Sequence, residues 1–345
     1  MTRRRQPRNR RSPDRSRPDD VQPLSAKQPA STTGGRAGHA AHLALMLAAL
    51  GVSYLLPFEL FLLSYAVLGP LHYLTEISWL HDRKYFLPNR YIAAVLCMIA
   101  LGAMFMANAF WLGVLVSGTF VVCAIFALAL PTARTLISLA VTASVFVVLC
   151  AIGTPFGFAW LLIPTLVHVS LFTFVFMLVG AFRSRSAVQF ALVAAYLVAI
   201  GTIIAFPPSA STVLPHLASV GKEYFGDVAP ALGALVGVPD LSFDGRIAGL
   251  LSFVYTYHYL NWFIKVDVIR WAAVPKSRMV AIVLASLGAT GLYFYDYRIG
   301  FMVLLLLSLT HVLLEFPLNS ISIRQLGGAL AGPFRRAGGS ARAGA

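Results

Sequence analysis

Four histidines lie inside apolar runs of this sequence: His72, His168, His258 and His311. Imidazole is the commonest metal ligand and suits iron, copper and zinc. Ionisable groups at membrane depth are costly, so they face a bundle interior and mark a site. Two of the four carry a glutamate four residues on, His72 with Glu76 and His311 with Glu315. On a helix that spacing places both groups on one face, where a carboxylate serves as a further ligand or as the partner that fixes a ligand's tautomer. His258 lies in the stretch from Tyr255 to Lys265, which also holds Tyr257 and, one turn on, Asn261. We therefore read His72, His168, His258, His311 and Glu315 as metal ligands, and Glu76, Asn261 and Tyr257 as the groups that act on or position a substrate. Aromatic residues in the same runs, Tyr73, Trp79, Phe172, Phe174, Tyr255, Tyr259 and Trp262, would wall a slot for a long apolar substrate or a porphyrin. The pattern leaves three other uses of these histidines open: hydrogen bonds between helices, a proton path, and axial ligation of haem b.

The elements that must position these residues are transmembrane helices. The chain has 345 residues, 58% hydrophobic and 12% charged, with a mean hydropathy of +0.77. Repeated apolar runs of about 20 residues suit helices that satisfy their own backbone in lipid, and the expected fold is an all-α polytopic bundle of about ten spans. They run approximately over 39–56, 58–80, 91–107, 110–130, 136–152, 160–182, 188–206, 247–268, 279–295 and 299–317. Pro70 is expected to kink the second span just before His72. Cys97, Cys123 and Cys150 show no metal-ligand spacing and read as packing residues.

Outside the spans, residues 1–38 are rich in Arg, Pro, Ser and Asp and read as a disordered, basic cytoplasmic tail. Its arginines are assigned to anionic lipid headgroups and topology rather than to nucleic acid. Residues 207–245 form a long Pro- and Gly-containing extracytoplasmic loop with an amphipathic stretch near 217–235, a candidate lid or protein-docking surface. The segment 319–345, rich in Gly, Ala and Arg, reads as a loose cytoplasmic tail. Ten spans put 24 of the 27 Lys and Arg on one side and leave Lys222, Arg246 and Arg298 on the other. The positive-inside rule then places both termini in the cytoplasm. In that topology the histidine-bearing spans two, six, eight and ten run from outside to inside. At about 1.5 Å per residue their histidines fall within about 12 Å of one another in depth.

The run from Gly69 to Glu76, Gly-Pro-Leu-His-Tyr-Leu-Thr-Glu, resembles a motif of the bacterial Brp/Blh family of integral-membrane beta-carotene dioxygenases. His72 and Glu76 match that motif's histidine and acid; the proline is displaced by one position, and Ile77 stands where the motif has a second histidine. The resemblance covers about ten residues. It implies a non-haem iron oxygenase of a lipid-like substrate, with a carotenoid among the candidates. The expected location is a bacterial-type inner membrane. The expected function is thus a multi-histidine membrane oxygenase or oxidase. A b-type haem electron carrier, a proton- or ion-coupled transporter and an accessory subunit of a membrane complex stand as alternatives.

Overall fold

The computed structural model describes residues 36–87, 89–106, 109–128, 130–152, 168–209 and 245–342. Among them the secondary structure is helical throughout, with no strand. The helices are α1 (Arg36–Leu55), α2 (Glu59–Asp82), α3 (Arg90–Ala103), α4 (Ala109–Ala127), α5 (Thr132–Ile152), α6 (His168–Ser184), α7 (Ala187–Ala205), α8 (Gly245–Ile264), α9 (Lys276–Tyr295) and α10 (Tyr297–Arg342). The basic N-terminal segment and the 217–235 stretch lie outside the described residues.

Five helices, α1, α2, α7, α9 and α10, are long and apolar enough to cross a membrane. α3 to α6 supply shorter apolar segments. The outward faces carry large apolar side chains, such as Val95 and Met98 on α3, Val141 and Val145 on α5, and Leu284 and Leu287 on α9. Such a surface suits hydrocarbon, since lipid tails are as apolar as the side chains themselves. α8 belongs to neither group although it is 20 residues long, because Tyr, His and Asn interrupt its apolar residues. Nearly every one of its side chains is buried.

Helix ends follow local chemistry. The Asn89 side chain accepts the Tyr91 N–H at the start of α3, and Ser186 caps α7 through Gln189 N. The α9–α10 turn is tight, with Asp296 accepting the Ile299 N–H. Gly300 is required there, because a Cβ would lie 2.2 Å from Tyr293 Cα. The C-terminal segment departs from the expected loose tail: α10 continues past Asn319 to Arg342.

α8 packs on α1, α2 and α7, while α10 packs on α2, α3, α4, α6 and α9. α2 therefore touches both. One apolar cluster gathers Met46, Phe61, Tyr65, Tyr73, Val169, Tyr196, Phe253 and Tyr259. A second gathers Trp79, Leu96, Leu112, Trp262, Val312 and Phe316. The four histidine-bearing helices meet where these clusters adjoin. α2 and α8 run in the same direction, as their ascending hydrogen-bond pairs show: Phe61 N to Ser252 Oγ, Ser64 Oγ with Thr256 Oγ1, Tyr73 Oη with Tyr259 Oη, and Trp262 Nε1 to Thr75 Oγ1. The Ser252 hydroxyl also donates to the carbonyl of Pro57.

Candidate metal centre

Two of the histidine helices leave regular α geometry beside their histidine. Residues Ser64–Leu68 form a π-turn just before Pro70 and His72, and His168–Phe172 form another that includes His168. A π-turn displaces backbone carbonyls from their usual partners and recurs at functional sites. Hydroxyls on neighbouring helices occupy the displaced groups here. Thr290 on α9 donates to Ala66 O at 2.7 Å, and Tyr196 on α7 donates to Ser170 O at 3.4 Å. Pro70 sits in the first turn of the α-helical segment that follows, where its missing N–H leaves no gap in the ladder. The expected proline kink is thus a π-turn joined to a new α segment.

The four imidazoles form a closed ring. Centroid separations are 4.8 Å for His72–His258, 5.5 Å for His258–His168, 5.2 Å for His168–His311 and 5.3 Å for His311–His72. All four are buried, His168 at 0% exposure and His72 at 1%. His72 Nε2 lies 3.1 Å from His258 Nε2 and 3.2 Å from Glu76 Oε2. On the other side His168 Nε2 lies 3.3 Å from Glu315 Oε2, without hydrogen-bond geometry, so both atoms lack a hydrogen-bond partner among the described residues. His311 Nε2 lacks one as well. The carboxyl groups of Glu76 and Glu315 stand beside each other.

These contacts fit a cation. Adjacent ligands about 2.1 Å from one octahedral metal stand about 3.0 Å apart, close to the separations found here. Buried polar atoms are almost always paired, so several unpaired nitrogens and a carboxylate oxygen facing one spot call for an ion or water between them. Two groups of potential ligands come within 4.8 Å internally: His72, His258 and His311, and His168, His311 and Glu315.

Residues beyond the expected set hold this arrangement. Thr173 Oγ1 donates to Val169 O at 2.7 Å and lies 2.8 Å from His258 Nδ1. Its proton being committed to the carbonyl, the hydroxyl accepts from Nδ1–H, which leaves His258 Nε2 with its lone pair toward His72. Thr75 donates to Leu71 O and accepts from Trp262 Nε1, fixing the indole whose ring lies 5.5 Å from His72. Tyr73 stacks on His311 with centroids 4.4 Å apart, and its hydroxyl meets Tyr259 Oη at 2.6 Å. Gly69 leaves room for that ring: a Cβ would come within 3.1 Å of the Tyr73 hydroxyl. In the sequence, Thr173 showed only as a hydroxyl in an apolar run five residues after His168.

Tyr257 does not join the cluster. Its ring packs against Tyr196 and Phe253 and its hydroxyl faces Met177, because successive residues of a helix project about 100° apart. The tyrosines that line the space beside His168, His258 and His311 are Tyr73, Tyr255 and Tyr259, with Ser308. Asn261 is buried, and among the described residues its Oδ1 has no hydrogen-bond partner and no contact places it against the imidazoles. Trp79 turns away toward Phe86 and bonds Ile269 O through its indole N–H. No protein family matches this chain, and no curated protein or solved structure matches it either.

Proposed function

We propose that the chain is an integral-membrane, non-haem metal oxygenase or oxidase acting on a hydrophobic, lipid-like substrate, with iron as the favoured metal. The observation that carries this reading is the ring of four buried imidazoles, each glutamate within 3.3 Å of one of them, in a bundle whose outer helices suit lipid. A nitrogen-and-carboxylate donor set of this kind suits iron in oxygenases. Bound iron would supply an oxygen-activating centre. The chain's own residues would hold and shield it: Thr173 fixes the His258 tautomer, and Tyr73, Tyr255 and Tyr259 wall the space beside the imidazoles against water. The local resemblance to carotenoid-cleaving membrane dioxygenases around His72 and Glu76 agrees with a polyene or similar apolar chain as substrate.

A haem between facing histidines fits less well. Axial nitrogens of one haem stand about 4 Å apart with the macrocycle between them, whereas His72 and His258 meet nitrogen to nitrogen at 3.1 Å. The reading includes ten spans, with both termini inside a bacterial-type cytoplasmic membrane, an arrangement supported by the charge asymmetry and by the shared direction of α2 and α8.

The test is metal content and absorption of detergent-purified protein, wild type against His258→Ala. Iron at stoichiometric level without a Soret band, lost in the variant, is the expected result. A Soret band would replace the oxygenase with an electron carrier. Folded protein that takes up no transition metal would overturn the proposal.

A further inference from the structure

We infer that this site, taken as the metal centre proposed above, holds two metal ions rather than one, each with two histidines and one glutamate and with the carboxylates of Glu76 and Glu315 at the shared edge. The first argument is which nitrogen the carboxylates face. A carboxylate that merely orients a ligand histidine contacts the ring nitrogen the metal does not use. Here Glu76 Oε2 faces His72 Nε2, the same nitrogen that faces His258 Nε2, while His72 Nδ1 has no partner among the described residues. Glu315 likewise faces His168 Nε2, without hydrogen-bond geometry. Both glutamates therefore occupy ligand positions.

The second argument is capacity. Four imidazoles and two carboxylates in ligand positions would fill an octahedral ion and close it to substrate. Divided between two ions, the same six groups leave open positions on each.

The third is the division itself. Glu76 stands at His72, which faces His258, on α2 and α8, and Glu315 stands with His168 and His311 on α6 and α10. His311 also comes within ligand reach of His72 and His258, so it stands at the seam and is assigned to the second ion through its grouping with His168 and Glu315. The two halves meet at the adjacent glutamates, the position from which carboxylates bridge paired ions in helical bundles. Two divalent ions leave positive charge beyond the two carboxylates, so an anionic group such as hydroxide is expected in the open positions.

The experiment loads full-length, metal-depleted protein in detergent with Fe(II) anaerobically. It counts metal per chain by mass spectrometry of the metal and tests for magnetic coupling by Mössbauer and electron paramagnetic resonance spectroscopy. Two irons per chain with coupled spins is the expected result. His168→Ala is expected to halve the content while His72, His258 and Glu76 keep one ion. One iron per wild-type chain, with no coupling, would overturn the pair and leave the metal-oxygenase reading standing. No iron in protein shown to be folded would overturn both. The wild-type count decides the matter even if the variant fails to fold.

Discussion

Thr173 illustrates how a neutral hydroxyl can control a proposed ligand. By giving its proton to Val169 O and accepting from His258 Nδ1, it keeps the Nε2 lone pair of His258 aimed at the cluster. Replacing such a partner typically weakens metal affinity about 10- to 100-fold. Thr173→Val is therefore expected to lower affinity by that factor in a chelator competition, with Thr173→Ser restoring most of it; an unchanged affinity in Thr173→Val would remove the hydroxyl from the account. At this scale the sequence was most informative about the groups that are expensive in lipid. His72, His168, His258, His311, Glu76 and Glu315 stood out because ionisable residues seldom enter apolar runs without a reason, and all six meet. The supporting residues were hidden because threonine, tyrosine and tryptophan are common in apolar helices. Tyr257 stands apart from the six because neighbours in sequence point to different sides of a helix.

Among the elements, α2 and α8 are joined by polar contacts at successive levels, and the buried pair of Ser64 and Thr256 at 2.6 Å is the simplest to isolate. Hydrogen bonds between membrane helices couple by about 0.6 kcal/mol on average and by about 1.7 at most. A double-mutant cycle with Ser64→Ala and Thr256→Ala, read from reversible unfolding in bicelles, is expected to return a coupling in that range; zero coupling would mean that each hydroxyl is satisfied equally well by its own helix. The helical, membrane-suited character was legible because long apolar runs are hard to read otherwise, and five of the described helices are long and apolar enough to cross a membrane. The π-turns were not legible. They depend on Thr290 and Tyr196 reaching across from other helices, a tertiary circumstance without local signature. The continuation of α10 to Arg342 was not legible, because five glycines and Pro333 in that segment oppose a helix.

For the molecule as a whole, the topology proposed from charge places Lys222 outside and the N-terminal arginines inside. A membrane-impermeant maleimide is expected to label Lys222→Cys in intact spheroplasts and to label an N-terminal cysteine only after permeabilisation; the reverse pattern would invert the bundle. α8 has a different bearing on the assembled protein. It is surrounded by α1, α2, α7 and the start of α6, and its serine, threonine, tyrosine, histidine and asparagine side chains are almost all withdrawn from the surface. In isolation those same side chains would meet hydrocarbon, where polar groups oppose entry. During synthesis, α1 to α7 precede α8, and α9 and α10 follow it. The helix that carries His258 must therefore be taken up by partners already waiting in the bilayer, so assembly order becomes a condition for bringing the four histidines together, and a chain whose early helices were mispaired would leave this polar segment stranded at the membrane surface.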